Sequence, residues 1–471
     1  MENIHQHSKY VEDSFVQKIT NNNSKRKSLQ IKKSIENLSE IIKDKKNIRK
    51  MAEESIDGKT DNELRSILWR IYLDIIPYNN IEDINKQVSE ARLQYTTKVD
   101  KYKAEEYLLY LSSTKTEEDK KFFLSNLNSF FNYNYDKNKK TENFLDSINL
   151  IKLDVYRTFQ DIDLFRNKKI IDSLLRLLYV WNFENTDVGY CQGMNEIAGT
   201  IYYALFPSYL LSNSENQEEN IKKTEILTSD ALCNEEKPED RENGDFYNLN
   251  SETYVEADVF AIFTQIMNGG FKDLYNYNDP KYKKKKPADD HLITEKADSI
   301  SVEDINKMEI SYLKKRIYRI FYVYLKITDY ILYEFISEHC DPFIFLFRWI
   351  LCILNREISI KNIIYVWDAI FAIEFQDKNF ENYKHNPLLI QTNYHFLDFL
   401  CVSMLKNVKY QIINEEDPCK VLSTLMNFPN ECNLRQIISD ALIIRDEVSS
   451  YLNQNQNKRS KFKIDKNYII I

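Results

Sequence analysis

What most restricts the fold of this chain is a shortage: its 471 residues include 7 glycines and 9 prolines, where average usage is roughly 7% and 5%. Sheet-rich folds turn sharply at the end of each strand, and those turns draw on glycine for positive φ and on proline for a preset φ. A chain this poor in both has little with which to build a sandwich, a barrel or a doubly wound sheet. The expected fold class is therefore all-α, multi-helix with polar connections; the length suits two or three average domains or, equally well, one large helical domain with insertions. Hydrophobic residues at 43% and aromatics at 13% supply a sizeable core, and a charged fraction of 29% calls for long solvated segments as well.

Charge and cysteine usage remove several function classes. The net charge of −8 is mild for this length and gives no general attraction to nucleic acid or acidic lipid, both of which select a basic face; no nucleic-acid partner is expected. Cysteines at 191, 233, 340, 352, 401, 419 and 432 contain no C-x2-C spacing, so neither a metal site nor a disulfide framework is expected. The opening MENIHQHSKYVEDSF lacks the apolar run of a secretory signal, and the expectation is a cytoplasmic protein with free thiols. The longest strongly apolar run, residues 342–354, is about a third shorter than the roughly 20 residues of a membrane span. Arg348 sits in its middle, so it reads as a buried helix.

Along the chain, residues 1–57 read as a polar segment, disordered or a frayed helix. The first compact signal is 61–77, where Leu64, Ile67, Leu68, Ile71 and Ile75 share one helical face between an Asp/Asn start and a closing Pro. Residues 80–150 look helical but polar, with an Asn- and Lys-rich loop near 131–143. Ile171, Leu174, Leu175, Leu178 and Trp181 form a second stripe, and Met194 to Leu205 a further helix. Residues 208–252 and 276–309, the latter carrying Lys281 to Lys286 broken only by Tyr282, read as low-complexity insertions. Apolar helices are expected at 312–337, 342–355, 360–373 and 391–406. Residues 431–471 are expected to form a helical extension and tail.

The chain carries no G-x-x-x-x-G-K-[ST], G-x-G-x-x-G, H-E-x-x-H or G-x-S-x-G, which argues against a P-loop, a dinucleotide enzyme or a common hydrolase. Two short segments stand out instead. In Ile151-Lys-Leu-Asp154-Val-Tyr-Arg157-Thr158 the spacing of three brings Asp154 and Arg157 side by side on a helical turn. A carboxylate there restrains the guanidinium and leaves some of its donors free. In Tyr190-Cys191-Gln192-Gly193-Met194-Asn195, glycines on both sides of Gln192 allow the backbone close approach to something outside the domain. Singly, each has a plain structural explanation: exposed D-x-x-R pairs contribute only about 0–1 kcal/mol, and a Gln before a Gly is most often a turn residue.

In combination, I-x-x-D-x-x-R-T followed by Y-x-Q-G-M-N resembles the TBC domain of Rab GTPase-activating proteins. Further matches follow in order: Arg65 and Trp69 as R-x-x-x-W, Glu256 to Phe260 as E-A-D-x-F, Asp329, then Phe347-Arg348-Trp349 through Glu357, and Val366-Trp367-Asp368. The resemblance covers roughly 58–430. Ile358, where the family usually has Phe, and the two charged insertions depart from it.

The resemblance implies a GTPase activator without hydrolase activity of its own, acting in vesicle trafficking. Arg157 would be an arginine finger and Gln192 a glutamine finger supplied in trans. Asp154 would orient Arg157, and Tyr190, Gly193 and Asn195 would shape the Gln192 loop. Thr158 and Arg65 would be supporting residues, and Trp69, Trp349 and Trp367 core. No cofactor of its own is implied, since GTP and Mg2+ would be carried by the partner, a GTP-bound Rab. Membrane contact would be indirect, through the lipidated GTPase, with recruitment to endomembranes. Two other readings stay open: a TBC-like scaffold or effector that binds a Rab without accelerating hydrolysis, and an adaptor using Lys281 to Lys286 on acidic lipid or nucleic acid.

Overall fold

The apolar stripes read along the chain become the inward faces of helices. In the computed structural model, residues 45–60, 62, 64–76, 82–112, 137–206, 254–278, 300–380, 393–429 and 431–466 are described, and every regular element among them is helical. The longer helices are α1 (Lys45–Ile56), α2 (Arg65–Tyr72), α3 (Glu82–Lys101), α4 (Ala104–Ser112), α5 (Lys137–Tyr156), α6 (Lys168–Glu184), α7 (Met194–Leu205) and α8 (Val255–Ile266). After them come α9 (Tyr312–Tyr318), α10 (Tyr330–His339), α11 (Pro342–Leu351), α12 (Ile360–Asn379), α13 (Phe396–Asn407), α14 (Pro418–Met426) and α15 (Leu434–Lys466).

Two of the few prolines fall where helices tolerate them. Pro342 and Pro418 open α11 and α14, each behind an aspartate whose carboxylate accepts from a backbone N–H, Phe343 N to Asp341 at 2.8 Å and Cys419 N to Asp417 at 2.9 Å. The first helical position has no intrahelical acceptor for an N–H, so losing it there costs nothing. Asn167 caps α6 in the same way through Lys169 N at 2.9 Å.

α7 runs through the middle of the assembly, in contact with α2, α5, α6, α8 and α12. Met194, Ile197, Ala198 and Ile201 on it are fully buried, as are all four tryptophans, Trp69, Trp181, Trp349 and Trp367. This central position matters because the N-terminus of α7 is where the Y-x-Q-G-M-N segment leads. Gly199 permits the crossing: a Cβ there would lie 3.0 Å from the ring of Phe159 and 3.1 Å from Thr158 Cγ2. α7 can thus lie close against the turn that follows α5.

Several expected boundaries move. Residues 45–56 of the segment expected to be disordered or frayed form α1, which lies along α12 with Ile48 and Ala52 fully buried and the Ser55 hydroxyl 3.0 Å from that of Tyr72. Four apolar residues, Ile48, Met51, Ala52 and Ile56, in a lysine- and glutamate-rich helix made too sparse a stripe to read. Within the expected loop 276–309, Val302–Lys307 is a helix with a capping box between Ser301 and Asp304, anchored by buried Val302 and Ile305. α15 is packed along α13 through Ile437, Ile438, Ala441, Ile444 and Val448, so the C-terminal extension shares the core. The helix expected over 312–337 breaks at Asp329, whose carboxylate accepts from Leu332 N at 3.1 Å to start α10. Residues 1–44, 208–252, the lysine cluster 281–286 and 467–471 lie outside the described residues.

Among the described residues six cysteines are free. No helix there is long and apolar enough to cross a membrane, and no cluster of potential metal ligands occurs.

Candidate functional site

The site begins where α5 runs out. Its last turn tightens, with Arg157 N donating to Asp154 O at 3.2 Å and Thr158 N to Val155 O at 3.1 Å. That geometry sends Asp154 inward, 1% exposed, and Arg157 outward, 58% exposed. Arg157 Nη2 stands 2.6 Å from Asp154 Oδ1, a charge contact off the axis of an aligned hydrogen bond.

The other oxygen of Asp154 is taken from a different part of the chain. Tyr190, buried in the turn between α6 and α7, donates its hydroxyl to Asp154 Oδ2 at 2.7 Å, and its backbone N donates to Asn182 Oδ1 at 2.7 Å. Asn195, in the first turn of α7, donates through Nδ2 to Thr158 Oγ1 at 2.9 Å and to Asp154 O at 3.3 Å. Its Oδ1 accepts from Gly193 N at 3.2 Å and lies 3.1 Å from the Tyr190 hydroxyl. Thr158 in turn donates to Asp154 O at 2.8 Å. These bonds form one buried network joining the end of α5 to the start of α7, and it ties the two segments to each other. Burial, and next the negative charge of Asp154, holds the Tyr190 hydroxyl well above its ordinary pKa, so it stays a donor.

Gly193 caps α7 with φ of +102°, and a Cβ there would lie 3.1 Å from Cys352 Sγ. Conformation and space together exclude a side chain. Gln192, just before it, is exposed. Burial pushes the thiol of its neighbour Cys191 up to about 11, which favours the thiol over the thiolate at neutral pH.

Asp154, Arg157, Thr158, Tyr190, Gly193 and Asn195 therefore meet in one place, with Gln192 on the loop they hold. Arg65 does not join them. It binds Asp368 through Nε at 3.1 Å and Nη2 at 3.1 Å, and Asp368 also accepts from Trp69 Nε1 at 2.7 Å. Its function is to fasten α2 to α12, by an ion pair 303 residues apart in sequence. Thr158 is buried and supports from below. Three neighbours escaped the sequence reading: Cys352, and the pair Glu196–Arg356, bonded at 2.9 Å across 160 residues. Glu196 had one legible signal, an acidic residue in a helix's first turn.

Chemically, the arrangement presents a guanidinium restrained from behind and a carboxamide on a well-fixed loop, both open to solvent. The first can stabilise an oxyanion outside the domain, and the second can accept from water and donate to an oxyanion.

The Rab-GTPase-TBC domain model matches residues 100–302 and 291–413. TBC1 domain family member 5 of Mus musculus is 22% identical over 411 residues, covering 84% of this chain and 42% of its own. GTPase-activating protein GYP1 of Saccharomyces cerevisiae is 25% identical over 228 residues, covering 48% of this chain and 28% of its own. The chain thus spans less than half the length of these curated relatives. The crystal structure of the Ypt/Rab-GAP domain of Gyp1p superposes with a TM-score of 0.53 at 18% identity, covering 88% of this chain and 98% of that one, a likeness of fold.

Proposed function

Since this chain belongs to the Rab-GTPase-TBC domain family, we propose that it accelerates GTP hydrolysis on a Rab-type GTPase by lending it Arg157 and Gln192. The observation that carries the reading is the position of Asp154: one buried carboxylate holds the exposed Arg157 on one oxygen and, through Tyr190, the Gln192 loop on the other. Two groups needed at one reacting phosphate are thereby referenced to a single point.

Phosphoryl transfer asks for what these groups offer. Negative charge spreads over the oxygens of the transferring group while a water must be held in line. Arg157 brings a permanent charge and a fork of donors matched to phosphate oxygens. Gln192 brings an amide able to orient the water, replacing the GTPase's own glutamine. The nucleotide and its Mg2+ come with the GTPase, and this chain contributes charge and positioning alone. In this proposal the GTP-bound, lipidated Rab also provides the membrane contact and links the activity to vesicle trafficking.

The test is single-turnover hydrolysis by a panel of GTP-loaded Rab proteins with and without the purified chain. At least one Rab should be accelerated by the wild type and not by Arg157→Ala. Stable binding of a Rab with an unchanged hydrolysis rate would instead identify a scaffold or effector.

A further inference from the structure

We infer that the turn at residues 352–356 is the mount that aims Gln192, and that Arg356 is a positioning residue for the glutamine-dependent step. This inference rests on the reading of Gln192 above and adds residues that neither finger segment contains.

Three positions on α7 and its cap, Gly193, Glu196 and Thr200, are spaced three and four apart and so form one stripe of the helix. Each meets the 352–356 turn. Cys352 Sγ fills the space where Gly193 has no side chain, 3.1 Å from the position of its Cβ. The Arg356 guanidinium grips the Glu196 carboxylate, with Nε at 2.9 and 3.0 Å from its two oxygens and Nη2 at 2.8 Å. Thr200 donates to Asn355 Oδ1 at 3.0 Å. A helix held at three levels along one stripe can neither rotate nor slide without breaking a bond, and Gln192 directly precedes its cap, Gly193.

The mount is itself held rigidly. Ile353 and Leu354 both have left-handed backbone, φ of +48° and +62°, and both are buried. Bulky side chains, above all a β-branched one, seldom adopt that conformation and keep it only when the surroundings over-determine it. Here Ile353 O accepts from Trp367 Nε1 at 3.1 Å, Leu354 N donates to Trp349 O at 2.9 Å, and Leu351 O accepts from the Tyr275 hydroxyl at 2.9 Å. Of the three contacts to α7, only Arg356–Glu196 reaches the surface, with side chains 33% and 16% exposed. That pair can be changed without opening the core.

Arg356 could alternatively touch the GTPase directly, and kinetics separates the two roles. In single-turnover assays on a responsive Rab, Arg356→Ala should lower the maximal stimulated rate roughly tenfold, in line with a finger displaced by a fraction of an ångström. The GTPase concentration giving half-maximal rate should barely move. Arg356→Lys should recover only part of the rate, because an ammonium cannot grip both oxygens of Glu196; Glu196→Gln should behave like Arg356→Ala. In a Gln192→Ala background, Arg356→Ala should cost less than about twofold, since there is no amide left to aim. An equal loss in that background, or a raised half-maximal concentration at unchanged maximal rate, overturns the inference. Hydrogen exchange reads the mount without any GTPase: amides of 190–196 should exchange faster in Arg356→Ala, and unchanged protection overturns it. If the wild type stimulates no Rab, it is the reading of Gln192 that fails, while the exchange result still decides whether the mount exists.

Discussion

Arg157–Asp154 and Arg316–Asp398 have the same chemistry and opposite surroundings. Both aspartates are 1% exposed, but Arg316 is 2% exposed and Arg157 is 58% exposed. Arg316 spends its donors inside, at 2.5 Å to Asp398 and 2.7 Å to Tyr394 O, with the Phe271 ring 5.9 Å away. Arg157 is anchored at one end and open at the other. A structural pair recovers the desolvation of both charges by bonding inside the protein. In the α5 pair only the acid is desolvated, and it is compensated by Tyr190, so the arginine remains available to a partner. Exposure of one member thus leaves donors open that the sealed pair has already used.

The largest expected effect breaks the open pair. Arg157→Ala should lower GTPase stimulation at least a hundredfold, toward the roughly 10³–10⁵ ascribed to arginine fingers, or about 4–7 kcal/mol. Its denaturant midpoint should shift much less than that of Arg316→Ala. A stimulated rate within tenfold of wild type would remove Arg157 from the chemistry. Next, Arg316→Ala should destabilise the fold by about 3–5 kcal/mol, because it strands Asp398 in the core, with the folded fraction keeping its activity. Equilibrium unfolding in urea measures this, and a loss below about 1 kcal/mol would erase the distinction between the two pairs.

A smaller effect sharpens the role of the glutamine. Gln192→Ala should lower the stimulated rate by about tenfold to a hundredfold, since water can partly orient itself in the absence of the amide. The wild-type chain should still stimulate a Rab whose own catalytic glutamine has been replaced, and complete loss there argues against a trans glutamine.

The smallest effect tests a sealed cluster by pH. His395 Nδ1 lies 3.2 Å from Glu374 and Nε2 3.0 Å from Asp377, while Lys378 approaches Glu374 at 3.5 Å and Arg445 of α15 approaches Asp377 at 3.3 Å. Only the imidazolium can donate from both ring nitrogens. Burial pushes His395 down, but bonds to Asp377 and Glu374 outweigh it and its pKa stands above 6.5. Burial likewise raises Glu374, and His395 outweighs that to leave it below the usual carboxylate value. The histidine's contribution is therefore complete below about 6.5 and lost as pH climbs through its folded pKa. That of Glu374 is present above its ordinary value and lost as pH falls through the depressed one. His395→Gln should cost about 1–3 kcal/mol near neutrality and flatten the alkaline decline. A wild-type stability curve with no alkaline decline would show that the ring is neutral.

How much was legible depended on the distance over which each feature is encoded. α7 was read with its observed bounds because an apolar run sits between Gly193 and Pro207. Asp154 and Arg157 were legible because they share one turn. α1 and α15 were missed or set apart from the core because a mostly polar helix hides a narrow apolar stripe, such as Ile48 with Ala52 or Ile437 with Ala441. Arg65 was grouped with the finger segments through a shared motif order, whereas its bonds lie with Asp368.

Composition and local spacing were enough to determine an all-helical protein and to draw attention to the segments around Arg157 and Gln192, since periodicity and i,i+3 contacts involve residues that are neighbours in the chain, while the finger roles came from the family resemblance. The meeting of Tyr190 with Asp154, the grip of Arg356 on Glu196, and the exposure that separates Arg157 from Arg316 were decided only by tertiary packing. Such contacts join residues dozens to hundreds of positions apart, and what a side chain faces depends on which helices have already closed around it.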